Sequence, residues 1–107
     1  MSEIVLTYPT DDGTEEILLK GDSVSFGRGS EAEYRFEDDG LSRLHATIYR
    51  EGEDIWIVDE NSSNGTFVNG EKVSSGGTPL KDGDAVKIGH YTNIRVKMRE
   101  KEDVATA

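Results

Sequence analysis

The stretch "ATIYREGEDIWIV", residues 46–58, decides the fold, because apolar side chains recur at every second position on both sides of a glycine. Ala46 and Ile48 mark the first run, and Ile55 and Ile57 mark the second. A period of two is that of a β-strand with one buried face. The turn former Gly52 lies between the runs, so the stretch predicts a hairpin of strands 46–50 and 54–58.

The rest of the chain repeats this pattern in short runs separated by glycine-rich turns. No segment carries a convincing apolar stripe of period 3.6. Asn69-Gly70 lies between "TFV" and "EKV" and predicts a tight type I′ turn, whose central residues need positive φ. We therefore predict an all-β fold, an antiparallel β-sandwich of about eleven strands, at residues 4–8, 15–19, 23–27, 34–36, 46–50, 54–58, 66–68, 71–73, 78–80, 85–88 and 93–98.

Length and composition predict one small domain. The 107 residues contain no cysteine, which removes thiol nucleophiles and cysteine metal sites. We expect the domain to span residues 1–98 and the charged segment 99–107 to be a flexible tail. The amino-terminal residues resemble no signal peptide, and no apolar run approaches the roughly 20 residues of a membrane span. The expectation is a cytoplasmic monomer with no membrane insertion.

Two neighbouring segments lack carboxylates in an otherwise acidic chain. The chain has 22 acidic and 12 basic residues, a net charge of -10 that argues against nucleic acid as a partner. Yet residues 40–50 hold no carboxylate, and "NSSNGTFVNG", residues 61–70, holds no charge at all. The predicted hairpin brings loops 39–45 and 59–65 to one end of the molecule. This pattern predicts a local anion site at that end.

The position of Arg28 relative to these loops is open at this stage. Arg28 lies in "FGRG", after the predicted strand 23–27. A full-length strand at 34–36 would place Arg28 at the opposite end of an antiparallel sandwich. Three residues span only about 10 Å, however, so a short strand there could leave Arg28 within reach.

The side chains in these segments suit a phosphate monoester, which carries about -1.5 to -2 charges and three acceptor oxygens at neutral pH. The planar guanidinium of Arg28 can donate to two of those oxygens, and the Ser42 hydroxyl can donate to the third. Arg43 can add charge. Asn64 offers both an acceptor and donors, which suit the main chain of an extended peptide.

Three motifs in order, "GR" at 27–28, "SRLH" at 42–45 and "NGTFVNG" at 64–70, resemble the forkhead-associated (FHA) domain, a reader of phosphothreonine peptides. The resemblance covers residues 4–98 and implies that a phosphothreonine-containing protein, produced by a Ser/Thr kinase pathway, is the partner. It implies roles for nine residues. Arg28, Ser42 and Arg43 would bind phosphate, Ser63 and Asn64 would contact the peptide and border a pocket for the threonine methyl group, and Gly27, His45, Gly65 and Thr66 would support the site.

The chain departs from the family pattern at two positions. Ser63 stands where family members often have Thr, which predicts a looser methyl pocket. Gly40 stands where a side chain often reads the residue three positions after the phosphothreonine, so no preference there is predicted. Thr7 and Thr10 are candidate self-ligands when phosphorylated.

The same residues offer little support for an enzyme, a metal site or a nucleotide site. His45 and His90 are far apart with no nucleophile or base motif, so we expect no enzyme, cofactor or metal site. The adjacent acids of "TDDG" and "EDDG" lack the spacing of a calcium loop and are interpreted as solvated turns. Gly27–Ala32 fits G-x-G-x-x-A, but that motif needs a following helix. A phosphate-independent protein scaffold on the same fold remains the alternative function.

Overall fold

A computed structural model describes residues 2–74 and 76–100 of the chain. Residues 101–107, most of the predicted tail, lie outside the described residues. The described part contains eleven strands, which confirms the predicted all-β class and the predicted count. They are β1 Ser2–Thr10, β2 Gly13–Leu18, β3 Ser23–Gly27, β4 Tyr34–Arg35, β5 Ala46–Glu51, β6 Asp54–Asp59, β7 Thr66–Val68, β8 Glu71–Lys72, β9 Thr78–Pro79, β10 Ala85–Ile88 and β11 Thr92–Glu100.

The strands form two sheets that pack face to face. One sheet has six strands in the order β2-β1-β11-β10-β7-β8, and the other has five in the order β4-β3-β5-β6-β9. All pairs are antiparallel except β3 and β4, which run parallel and correct the purely antiparallel prediction. β11 extends two residues beyond the predicted domain boundary at residue 98, so the start of the predicted tail belongs to a strand.

The core lies between the sheets and is built from the inward positions of the alternating runs. Phe26, Ile48 and Ile57 on one sheet meet Ile88 and Val96 on the other, and all five side chains are fully buried. Burying one such side chain contributes about 1.5–3 kcal/mol to the stability of the fold. These contacts therefore hold in place the strands that carry the loops. The predicted hairpin is present, with Ile48 opposite Ile57.

The turn between β7 and β8 confirms the prediction for Asn69-Gly70. Asn69 has a φ of 50° and Gly70 a φ of 87°, both in the left-handed region that a type I′ turn needs. The Asn69 side chain also accepts a hydrogen bond from the backbone N–H of Ala85 at 3.0 Å, so it ties the hairpin to the start of β10.

The topology places Arg28 at the same end as the carboxylate-poor loops. β3 pairs antiparallel with β5, and Phe26 lies opposite Ala46, so the end of β3 adjoins the start of β5. β4 is only two residues long and parallel to β3, so the chain returns across this end before β4 begins. The short segment at 34–36 therefore leaves Arg28 beside the loops.

Thr7 is a poor candidate for a phosphorylated self-ligand. Its side chain is buried, and its strand is paired on both sides, with Arg95 and with Glu16. A kinase could reach it only after β1 left the sheet. Thr10 is exposed at the turn between β1 and β2.

Candidate functional site

Three loops meet at one end of the sandwich: residues 28–33 after β3, residues 36–45 before β5, and residues 60–65 after β6. The backbone N–H of Arg28 donates to the carbonyl of Ser42 at 2.9 Å, and that of Gly29 donates to the carbonyl of Arg43 at 3.0 Å. The two predicted anion-binding segments are therefore joined by their main chains.

Gly27 permits this close approach. A Cβ atom at that position would lie 2.2 Å from the carbonyl oxygen of Arg43, a distance that real Cβ atoms do not show. Since backbone atoms supply the obstruction, no side chain could give way to relieve it. This steric limit is the physical reason to expect a supporting role for Gly27.

Side chains bind the second loop to the third. The hydroxyl oxygen of Ser42 accepts the backbone N–H of Ser63 at 3.0 Å. The side-chain amide of Asn64 donates to the carbonyl of Gly40 at 2.8 Å. A hydroxyl that accepts a hydrogen bond keeps its own proton to donate, and the Asn64 amide keeps its carbonyl oxygen as an acceptor. Both residues can therefore hold the loops together and still bind a ligand.

His45 is fully buried beneath these loops and holds them from below. Its Nδ1 accepts the backbone N–H of Ser42 at 3.1 Å, and its Nε2 lies 2.8 Å from the carbonyl oxygen of Gly65. These partners require the neutral tautomer with the proton on Nε2, because a backbone N–H can only donate and a carbonyl can only accept. With no exposed surface, His45 cannot touch a ligand.

Asp59 at the end of β6 shapes the third loop. Its carboxylate accepts the backbone N–H of Ser62 at 3.0 Å, the Ser62 hydroxyl, and the Thr66 hydroxyl at 2.7 Å. Burial raises the pKa of Asp59, but these hydrogen bonds outweigh it and hold the pKa below its ordinary value. Thr66 thus helps to hold the third loop through Asp59. The sequence analysis missed Asp59, although Asp often begins such turns.

Asp38 corrects the interpretation of "EDDG" as a solvated turn. Its side chain is fully buried. It accepts the backbone N–H groups of Gly40 (2.8 Å), His90 (3.0 Å), Tyr91 (3.0 Å) and Thr92 (3.1 Å), and the Thr92 hydroxyl at 2.8 Å. Burial raises the pKa of Asp38, yet these donors lower it well below its ordinary value. Asp38 fastens the second loop to the turn between β10 and β11.

The same contact explains why position 40 carries glycine. A Cβ atom at Gly40 would lie 2.5 Å from the backbone nitrogen of His90. A residue with a side chain at this position would have to move the loop away from the turn. The missing side chain at position 40 is therefore built into the way that this chain packs its second loop.

Each predicted anion-binding arginine already faces a carboxylate. Nη1 of Arg28 lies 3.4 Å from Oδ1 of Asp39, and Nε of Arg43 lies 3.5 Å from Oε2 of Glu31. All four side chains are at least half exposed, and Asp39 is 96% exposed. Exposed pairs of this kind contribute only about 0–1 kcal/mol, so an anionic ligand can replace the carboxylates at small cost.

An open groove of about 620 Å³ begins at Arg28 and is lined further by Arg35, Phe36, Glu37 and Asp39. Phe36 is half-buried and packs edge-on against Tyr8, with ring centroids 5.0 Å apart. The groove gives a chain bound at Arg28 a path along the molecule. Within residues 2–74 and 76–100, no group of three or more His, Asp or Glu side chains is arranged to hold a metal ion.

Comparison with known proteins assigns the family. The sequence model of the FHA domain matches residues 24–89, which include all three loops of the site. The chain belongs to the FHA domain family. The FHA domain-containing protein FhaA of Mycobacterium tuberculosis is 38% identical over 94 residues, covering 87% of this chain and 17% of FhaA. The glycogen accumulation regulator GarA of Mycolicibacterium smegmatis is 39% identical over 74 residues, covering 69% of this chain and 46% of GarA.

The FHA fold is also shared with solved structures. A domain studied for phosphothreonine-dependent FHA domain interactions superposes with a TM-score of 0.82 at 34% identity, covering 92% of this chain and 99% of that one. The chain spans less than half the length of the curated relatives FhaA and GarA. No helix in the described residues is long and apolar enough to span a membrane.

Proposed function

We propose that this FHA domain is a binding module, without catalysis of its own, that recognises phosphothreonine in partner proteins. The proposal rests on the hydrogen bonds that join the three loops. Arg28 and the Ser42–Arg43 segment are bonded through their backbones, and Ser42 is bonded to Ser63 in the third loop. Two exposed guanidiniums and a hydroxyl with a free proton are thus carried by directly bonded loops, and this set of donors suits a doubly charged group with three acceptor oxygens.

Each residue has a role in this proposal. Arg28 and Ser42 bind the phosphate, and Arg43 adds charge. The free carbonyl oxygen of Asn64 accepts from the peptide main chain, and Ser63 borders the threonine methyl group. Gly27, His45, Gly65 and Thr66 act indirectly by fixing the loops.

The proposed partners follow from the chemistry of the ligand. Phosphothreonine in proteins is made by Ser/Thr kinases, so the domain recruits or regulates proteins that such kinases have modified. A cytoplasmic location is part of the proposal. The structure solved for phosphothreonine-dependent FHA interactions supports the ligand class, since it shares the fold and 34% of its sequence with this chain.

Isothermal titration with three matched peptides, carrying phosphothreonine, phosphoserine or unmodified threonine, tests the proposal. We expect strong binding of the first peptide alone. Equal binding of phosphorylated and unmodified peptides would support the phosphate-independent scaffold instead.

The Arg28→Ala variant tests the site assignment. We expect it to weaken phosphothreonine binding by about 1.5–3 kcal/mol, the range for hydrogen bonds to charged groups, which is at least tenfold in affinity. Lys20→Ala is the control, because it removes one exposed cation from the turn between β2 and β3 at the other end of the molecule. Wild-type affinity in Arg28→Ala would show that the phosphate binds elsewhere.

A further inference from the structure

The outer face of the six-stranded sheet carries a group of cations that the loop site does not use. On β11, Ile94 and Val96 point into the core, so the alternating residues Arg95, Lys97 and Arg99 point outward, and all three are exposed. Successive outward residues on one strand lie about 6.8 Å apart.

The strand register adds two lysines to the same face. Residues directly opposite each other in neighbouring strands share a face. Lys87 on β10 lies opposite Asn93 on β11 and opposite Phe67 on β7, and Phe67 lies opposite Lys72 on β8. Asn93 alternates in phase with Arg95, so all of these residues point outward. We call Lys72, Lys87, Arg95, Lys97 and Arg99 the basic strip.

The basic strip concentrates positive charge in an acidic molecule. It holds five of the chain's 12 basic residues. None of the five forms an ion pair with another residue in the described part of the chain, and Arg95 instead donates to the carbonyl of Gly83 at 3.1 Å. Like charges on one face repel each other, and a bound anionic partner would relieve that repulsion.

We propose that the basic strip is a docking surface for an extended acidic segment of a partner protein. Carboxylates on alternating residues of an extended chain repeat at about 6.8 Å, the same spacing as the cations along β11. This surface is separate from the loop site and does not depend on the function proposed for it. It begins beside that site, because Lys72 packs against Gly65, with its Cε 3.0 Å from the position of a Cβ there.

The neighbours of the strip favour a narrow occupant. On the β1–β2 side of the strip, the same face carries carboxylates. Glu3 lies opposite Arg99, and Glu16 lies opposite Thr7, which itself lies opposite Arg95. Neighbouring strands are about 4.8 Å apart, so the strip from β11 to β8 is only about 14 Å wide. A single extended chain fits this width, whereas a membrane plane or a nucleic-acid duplex would also face the flanking carboxylates.

Fluorescence anisotropy with an unphosphorylated, labelled peptide of alternating Glu and Ser residues tests the proposal. We expect binding that weakens as salt rises, and a loss of about three- to tenfold in affinity in the Lys87→Gln/Lys97→Gln variant, given the modest strength of exposed ion pairs. The matched control is Lys20→Gln/Lys81→Gln, which removes two exposed lysines outside the strip and should bind as wild type does. Lys20 lies between β2 and β3, and Lys81 lines a separate groove with Trp56 and Leu80. Equal losses in the two variants would overturn the proposal.

Further measurements distinguish binding at the strip from binding at the loop site, and an acidic peptide from other anionic ligands. Arg28→Ala should keep its affinity for the acidic peptide, since Arg28 lies outside the strip. Arg95→Gln/Arg99→Gln should repeat the loss, which covers the case in which the lysine variant folds poorly. Undetectable peptide binding at about 50 mM salt would end the proposal, as would tighter binding of phosphatidylserine vesicles or of a single-stranded oligonucleotide of equal charge.

Discussion

Arg28 and Asp39 face each other across 3.4 Å on an exposed surface, so the cation that we assign to the phosphate is already engaged in the free protein. Arg43 is engaged by Glu31 in the same way. A bound phosphate must displace Asp39 or remain close to its negative charge. The carboxylate at position 39 therefore opposes the ligand in either case.

We expect the Asp39→Asn variant to bind the phosphothreonine peptide more tightly than wild type. Exposed ion pairs contribute about 0.2–1 kcal/mol, which corresponds to an increase in affinity of about 1.5- to 5-fold. Isothermal titration at low salt is the best measurement of this increase, since salt screens the interaction between the charges. Glu51→Gln is the control, because it makes the same change in net charge in the β5–β6 hairpin at the opposite end. Weaker binding in Asp39→Asn would show that Asp39 aids the ligand.

The sequence predicted candidates for ligand contact and four residues that brace the loops, but it missed the bracing carboxylates. Arg28, Ser42 and Asn64 lie in motifs with fixed intervals, and the fold brings their segments together. Asp38 gave no such signal. It lies in a polar run beside exposed Glu37 and Asp39, and nothing local distinguishes the one buried carboxylate from its neighbours. Apart from Gly40, its partners are 52–54 residues away in the chain, and only the tertiary fold brings them close.

At the scale of elements, the loops are held by contacts from strands on both sheets. The predicted strand positions follow from the alternation of apolar and polar residues, which can be seen in a single sequence. The location of Arg28 does not follow from that pattern. It depends on β4 being two residues long and parallel to β3, and a two-residue strand is too short to show a period.

His45 joins two of these loops, and we expect His45→Ala to act mainly on stability. The substitution leaves the Ser42 N–H and the Gly65 carbonyl without their partner and opens a cavity in a fully buried place. An unsatisfied buried polar group costs about 1–3 kcal/mol, so we expect the free energy of unfolding to fall by about 2–4 kcal/mol. Urea denaturation followed by tryptophan fluorescence measures this, since Trp56 is the only tryptophan of the chain.

The binding of His45→Ala provides the complementary measurement. Because His45 has no exposed surface, the folded variant should still bind the phosphothreonine peptide at temperatures well below its melting point. An unchanged melting temperature together with lost binding would contradict the bracing role and point to a direct one.

At the scale of the whole molecule, the chain is strongly acidic, yet some of its carboxylates are structural. Asp38 and Asp59 both have a pKa held below the ordinary value, because hydrogen bonds to the ionised form outweigh the opposing effect of burial. A carboxylate with a depressed folded-state pKa stabilises the protein above its unfolded pKa, about 3.9 for Asp. That stabilisation is lost as the pH falls through the folded-state value. The domain should therefore lose stability in acid, below about pH 5.

Asp38→Asn measures the share of this acid sensitivity that belongs to one residue. At neutral pH the variant should be less stable by about 3 kcal/mol or more, since an amide lacks the charge and presents N–H groups to donors that need an acceptor. As the pH falls below about 3.9, wild-type stability should approach that of the variant by up to about 1.4 kcal/mol per pH unit, because only wild type takes up a proton at this position on unfolding. Urea denaturation of both proteins between pH 7 and pH 3 gives the two curves. Parallel curves across that range would mean that Asp38 has the same pKa in the folded and unfolded states, and the acid sensitivity would then belong to Asp59 and the remaining carboxylates.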